Sequence, residues 1–282
     1  MNLNLLAGIP QPAYAGRLRN LHSQYGEDGL LAYVLEHLPD CPRYFVEFGG
    51  WDGLHLSNCA ALAEQGWAGC FIEGEPDRAR DAVRNYANVP AVTVMTAFVT
   101  PTGERSLDRL LRDTRCPRDF GVLSIDIDGN DYHVWSALSD YRPLVCIVEF
   151  NPTIPVQVDF VQEMDPGVHQ GCSLAALHRL AGEKGYVLAG ATELNAVFVR
   201  ADAATAAGLP GYAPVQVKTT TFETQVFHGY DGSVHVAGYR ELVWHGVPIR
   251  AESWQLLPAE LRRFPVGQGE AYFTALSRLK GN

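Results

Sequence analysis

From residue 43 to residue 200, short apolar runs alternate with stretches whose apolar residues recur at helical spacing. That rhythm predicts parallel strands covered by helices on both faces, a doubly wound α/β core. Five runs read as strands: Tyr44–Phe48, Gly69–Glu73, Ala91–Thr96, Val122–Ile127 and Leu144–Phe150. They show little alternation, as strands buried on both faces must. Between them, Leu56–Gln65, Pro76–Tyr86, Leu107–Asp113 and Tyr132–Leu138 carry helix-compatible spacing, with Pro76 and Ser106 suited to helix starts. Ser173–Lys184 predicts a further helix, capped by Ser173 and ended by Gly185.

Beyond that helix the pattern changes. Tyr186–Ala189 and Ala196–Arg200 read as two short strands joined by a turn, which predicts an antiparallel hairpin at the sheet's edge. Residues 201–211 (ADAATAAGLPG) are small and contain Pro and Gly, and read as a linker. Residues 212–255 look β-rich, punctuated by turns at His228–Gly232 and Trp244–Gly246. The expected organisation is an N-terminal segment 1–22, a core domain 23–200 and a β-rich extension 201–282.

Composition narrows the partners. The chain has 282 residues, enough for one large domain or a core with an appendage, and its 47% hydrophobic and 19% charged content is ordinary for a globular protein. A net charge of −10 works against binding that depends on neutralising many phosphates, so nucleic acid and anionic membrane surfaces are not expected partners. No run approaches the roughly 20 apolar residues that span a bilayer. The opening MNLNLLAGIPQP has no basic region before its apolar stretch and does not read as a signal peptide, so a cytoplasmic location is expected. The six cysteines lack CxxC spacing and read as reduced core thiols.

The most informative segment is Phe45–Gly53, FVEFGGWDG, in which a buried strand ends in Glu47, Gly49 and Gly53 before a helix. Glycines there allow a sharp turn and close approach of the backbone to a ligand at the strand's carboxyl end, where open α/β sheets bind theirs. An acidic strand end suits a cationic or zwitterionic ligand such as S-adenosylmethionine (SAM) better than a pyrophosphate, and the GxGxxG dinucleotide fingerprint is missing. Glu73, twenty residues after Gly53, ends the second strand and can accept from both ribose hydroxyls of an adenosine.

A second constellation is LSIDIDGNDYHVW, residues 123–135, where the fourth strand delivers Asp126, Asp128, Asn130 and Asp131 into one loop. Oxygens at this density suit a hard divalent cation such as Mg²⁺, or a cationic donor held beside an acceptor hydroxyl. The alternative is that Asn130 or Asp131 caps the next helix while Asp128–Gly129 turns. The fifth strand adds Glu149 and Asn151, so Asp126, Asp128, Glu149 and Asn151 can converge on one metal; Asn151 can equally serve the turn before Pro152. Of nine histidines, His169 lies in the loop after the fifth strand where a base would meet an acceptor, and His55 sits beside the glycine turn. His133 and His178 read as helix-surface residues.

SQYGED at residues 23–28, VEFGGWDG, FIEGEP and SIDIDGNDY together resemble the FkbM-type SAM-dependent methyltransferases over roughly residues 23–200. The resemblance implies a Rossmann-like SAM methyltransferase fold, with Gln24 and Glu27 near the cofactor entrance, Glu47, Gly49 and Gly53 at the methionine part and Glu73 at the ribose. It also implies oxygen methylation of a glycan or small-molecule acceptor, with Mg²⁺ used by related sugar methyltransferases. The chain departs from the commoner pattern at the fourth strand, where Ser124–Gly129 reads SIDIDG in place of a Lys and an Asp-Val-Glu-Gly run. Asp126, Asp128 and His169 are the catalytic candidates. The tail after residue 200 can close over the acceptor, make a homo-oligomer contact or cover the sheet. A nicotinamide-dependent oxidoreductase and a non-catalytic partner protein on the same fold are the alternative functions.

Overall fold

The computed structural model describes residues 11–263 and 269–280. The reading of the opening residues 1–10 lies outside them. The chain forms two compact units, one running to Thr219 and one beginning at Thr220.

The first unit holds a seven-stranded sheet. Its strands are β1 (Tyr44–Phe48), β2 (Ala68–Glu73), β3 (Val92–Thr96), β4 (Val122–Ile125), β5 (Val145–Glu149), β6 (Tyr186–Ala191) and β7 (Asn195–Arg200), in the order β3-β2-β1-β4-β5-β7-β6. All neighbours are parallel except β7, which runs antiparallel to both β5 and β6. The expected doubly wound sheet with an antiparallel edge hairpin is therefore the observed one. β1, β2, β4 and β5 are buried along nearly their whole length, which explains their unbroken apolar sequence. Phe45, Phe71, Phe120, Trp135 and Phe198 are among the largest buried side chains. All six cysteines are free, five of them buried.

The helices are α1 (Glu27–Glu36), α2 (Ala60–Glu64), α3 (Pro76–Asn85), α4 (Leu107–Arg112), α5 (Asp131–Ala137), α6 (Leu174–Lys184), α7 (Ala201–Ala207) and α8 (Pro214–Val217). Ser173 caps α6 by accepting from the Ala176 N–H, and Gly185 ends it in the left-handed conformation, as the sequence predicts.

Four expectations are corrected. α1 was not anticipated; it buries Leu30, Leu31 and Val34 and sits against β6 and β7. α2 begins at Ala60, not Leu56, because the chain from Ser57 to Cys59 gives its donors to Glu47 instead of to a helix. Residues 201–207, read as linker, form α7: five alanines favour a helix once Ala204 packs against the sheet, and Gly208 terminates it. β4 stops at Ile125, so Asp126 stands in the loop and not on the strand.

The second unit contains β8 (Thr224–His228) and β9 (Val234–Gly238), an antiparallel hairpin, and the two-residue strands β10 (Glu241–Leu242) and β11 (Val247–Pro248). The turns expected at His228–Gly232 and Trp244–Gly246 join these pairs. The unit ends in a helix, α9 (Glu270–Lys280). Among the described residues no helix is long and apolar enough to cross a membrane.

Candidate functional site

The chain leaves β1 towards one side of the sheet and β4 towards the other, so a crevice opens at their carboxyl ends. Pairing register aligns Thr96 with Glu73 on β3 and β2, and Glu149 with Asn195 on β5 and β7. Extending the β1–β2, β1–β4 and β4–β5 registers by one residue adds Gly49 and Asp126 to the same row. Paired residues project from the same sheet face. One row therefore reads Thr96, Glu73, Gly49, Asp126, Glu149, Asn195 across the carboxyl edge. Gly49 is the position in it without a side chain.

That glycine is obligatory for a reason internal to the protein. At φ +79° a Cβ on Gly49 would lie 1.5 Å from the carbonyl oxygen of Asp126. Gly53 has φ +74°, and the Tyr86 hydroxyl donates to its carbonyl at 2.6 Å. Both glycines make room for neighbouring chain, which the sequence pattern alone could not distinguish from room for a ligand.

Glu47 sits two residues before Gly49 and is 2% exposed. Its carboxylate accepts from Ser57 Oγ at 2.5 Å, the Asn58 N–H at 2.8 Å and the Cys59 N–H at 3.2 Å. Burial pushes its pKa up while these donors pull it down. The carboxylate thus ties the 49–59 loop to β1, and Asn58 extends the tie by donating to Ser124 Oγ at 3.1 Å.

Glu73 differs. One oxygen accepts from the Glu75 N–H at 2.8 Å, and its other oxygen meets no protein donor among the described residues. The end of β3 carries Phe98, 54% exposed, whose ring occupies the space a Cβ on Gly74 would need. On the β1 side, Trp51 is exposed at φ +54°, with the Arg78 guanidinium 3.9 Å from its ring centroid and His55 at its edge. The exposed aromatic at the end of β3 escaped the sequence reading because Phe98 lies beyond the strand's apolar run.

At the end of β4, Asp131 accepts from the Ile127 and Gly129 N–H groups, both at 2.9 Å, and shapes the loop; it makes no cap to its own helix. The loop turns at Asp128, whose φ is +54°. Asp126, Asp128 and Glu149 each offer an oxygen, and these lie within 4.8 Å of one another. Burial and mutual repulsion push the carboxyls of Asp126 and Glu149 well above the usual range, and the two hydrogen-bond to each other. Among the largest influences on Asp126 there is no basic side chain. The cluster has the charge and spacing to take a cation.

Asn151 does not join it. Its Oδ1 accepts from the N–H and hydroxyl of Thr153, and its Nδ2 donates to the Gln170 carbonyl, so it builds the turn before Pro152. In its place the row ends on Asn195, 4% exposed, whose Oδ1 has no partner among the described residues and whose Nδ2 donates to Glu27 at 3.3 Å. Glu27 is fully buried and also accepts from Thr192 Oγ and the Gln24 and Tyr25 N–H groups. It fastens the start of α1 to the β6–β7 turn. Gln24 itself is exposed and engaged through its backbone.

His169 reaches the cluster's loop. Its Nδ1 lies 3.0 Å from the carbonyl oxygen of Asp128, which can only accept. Nδ1 therefore carries the hydrogen, and in the neutral ring Nε2 is left as the proton acceptor. His133, read as a surface residue, instead donates Nε2–H to the Gln162 carbonyl at 2.8 Å.

Neither family models nor curated proteins match the chain. Solved structures similar to it include the N-terminal domain of EvdMO1 with SAH bound, 13% identical with a TM-score of 0.43, covering 64% of this chain and 82% of that one. An O-methyltransferase from Bacillus cereus in complex with SAH is 20% identical with a TM-score of 0.42 over the same shares, 64% and 82%. A putative O-methyltransferase from Klebsiella pneumoniae is 18% identical with a TM-score of 0.38, covering 68% and 90%. Likeness at this level assigns no residue a role.

Proposed function

We propose that the chain is a SAM-dependent methyltransferase that transfers the methyl group to a hydroxyl of a carbohydrate or secondary metabolite. The carrying observation is the row at the carboxyl edge. It combines a glutamate with one open oxygen and a pair of carboxyls whose strongest charged neighbours are other acids, on one face of the sheet.

Adenosine fits this edge. The open oxygen of Glu73 can accept from the ribose hydroxyls, and the exposed ring of Phe98 offers the adenine a stacking face. Asp126, which follows Gly49 in the edge row, offers a carboxyl group that suits the positive end of the cofactor. Glu47 takes no part in binding in this reading; its contribution is the shape of the loop. The long loop before α2 also supports SAM over a dinucleotide, because no helix N-terminus meets the glycine turn to hold a pyrophosphate.

Asp126, Asp128 and Glu149 fit a hard divalent cation such as Mg²⁺, having three carboxylate oxygens in reach of one point. When bound, such an ion lowers the pKa of an acceptor hydroxyl. With SAM and an acceptor bound, the acceptor oxygen would bond to the methyl carbon as the carbon–sulfur bond broke, and Nε2 of His169 would take the hydroxyl proton. The chain's own contribution is chiefly orientation and charge.

Calorimetry with SAM and with its demethylated product, with and without Mg²⁺, tests the proposal. Product is expected to bind in about the micromolar range. Glu73→Ala is expected to weaken it by about 1.5–3 kcal/mol, the scale of a hydrogen bond to a charged group. Tight NAD binding with no response to either SAM form sinks the reading.

A further inference from the structure

The loop between β5 and α6 is organised around one buried amide that the reaction does not touch. Gln162 is 3% exposed. Its Oε1 accepts from the Gln170 N–H at 2.8 Å and the Gly171 N–H at 2.7 Å, and its Nε2 donates to the Val168 carbonyl at 2.7 Å. An oxygen facing two donors and a nitrogen facing an acceptor leave one orientation for the amide. These three bonds bracket His169 on both sides. The backbone of Gln162 is pinned in turn, its N–H to the Gly171 carbonyl at 3.1 Å and its carbonyl by Nε2 of His133 at 2.8 Å.

The bracket presses against the loop that carries the carboxylates. A Cβ on Gly129 would lie 2.8 Å from the Val168 carbonyl and 3.0 Å from Gln162 Oε1, so the missing side chain lets the two loops touch. Asn130 adds a bond from Nδ2 to the Asp165 carbonyl at 3.0 Å. The outcome is that His169, although exposed, has its Nδ1 3.0 Å from the carbonyl oxygen of Asp128.

We infer that Gln162 is a positioning residue: by clamping residues 168–171 it holds His169 against the Asp128 carbonyl and so selects the tautomer with Nε2 free to take a proton. That this nitrogen serves methyl transfer rests on the proposed function. The tautomer itself does not, and can be read separately.

Nitrogen-15 spectra of the ring nitrogens test the clamp on the intact protein. Wild type is expected to show His169 with hydrogen on Nδ1 and His133 with hydrogen on Nε2, opposite tautomers either side of one glutamine. Gln162→Met keeps the volume and removes all three side-chain bonds, and is expected to shift His169 towards the Nε2–H form that an unconstrained histidine side chain favours while His133 stays put. Gln162→Glu keeps both accepted bonds and is expected to restore most of the wild-type signal. With an acceptor in hand, Gln162→Met is expected to lower kcat by about tenfold or more, with product affinity held within about twofold. A wild-type His169 protonated on Nε2, or ring signals unmoved in Gln162→Met, overturns the inference. Absence of SAM and product binding overturns the proposed function and leaves the tautomer result to be judged alone. If Gln162→Met fails to fold, Gln162→Asn, whose shorter side chain withdraws the amide from all three partners, is read in its place, and an unmoved His169 signal there overturns the inference.

Discussion

Glu47→Ala is expected to cost about 3–5 kcal/mol of folding stability, the scale for breaking a buried, charged hydrogen-bond network. Three donors, the Ser57 hydroxyl and the Asn58 and Cys59 N–H groups, would lose their acceptor in a region closed to water. Burial also means that water cannot replace the carboxylate without opening the loop. Glu47→Gln should cost less, since its amide oxygen still accepts while its NH₂ faces a donor. Chemical denaturation of both variants checks this. A loss below about 1 kcal/mol for the alanine variant would show that the 57–59 segment holds itself. The distinction matters for function: a glutamate that merely bound ligand would leave stability nearly unchanged when removed.

Asp126→Asn is expected to do the reverse, stabilising the ligand-free protein while removing its response to divalent cations. The Asp126 and Glu149 carboxyls are raised above their ordinary values by burial first and then by repulsion from neighbouring carboxylates. A folded state with raised carboxyl pKa binds protons that the unfolded chain has released. Its stability is therefore full below the ordinary carboxylate range and falls as pH climbs through the raised values. An asparagine keeps an oxygen that can accept from the Glu149 carboxyl and removes one charge from the repulsion. Melting temperature at about pH 8 should exceed that of wild type by a few degrees, at roughly 2–4 °C per kcal/mol for a chain of this size, and the gap should close towards about pH 4. Mg²⁺ should raise the wild-type melting temperature and leave the variant's unmoved. Methyl transfer should drop by about 10²–10³-fold, the effect of removing one electrostatic group from a reaction centre. A variant less stable than wild type at every pH would mean the two carboxyls share a bond worth more than their repulsion.

Residues that look alike in sequence take different roles in the fold. Glu47 and Glu73 both end buried strands beside glycines, and the motif treats them as a pair. Register and the path of the loop separate them: Glu47 lies two residues below the edge and faces the returning chain, whereas Glu73 stands in the edge row with an oxygen to spare. Asn151 and Asn195 show the same limit. Asn151 is next to Glu149 in sequence yet serves a turn, and Asn195 reaches Glu149 only because β7 returns antiparallel beside β5. Gln162 carried no signal at all, since a glutamine among loop residues has no pattern until its three partners are folded around it.

Local chemistry along the chain was enough to determine the five parallel strands, the edge hairpin, the cap and stop of α6, and the crowding of acids after β4. Each follows from apolar runs, periodicity or turn residues acting over a few neighbours, and burial only reinforces them. Which of those acids faces the crevice, which ties down its own loop and which histidine nitrogen stays free were decided by tertiary structure. Those outcomes depend on contacts between segments far apart in sequence, such as Glu27 with Asn195 or His169 with Asp128, and a polar group's role is set by whatever donor or acceptor the fold brings to it.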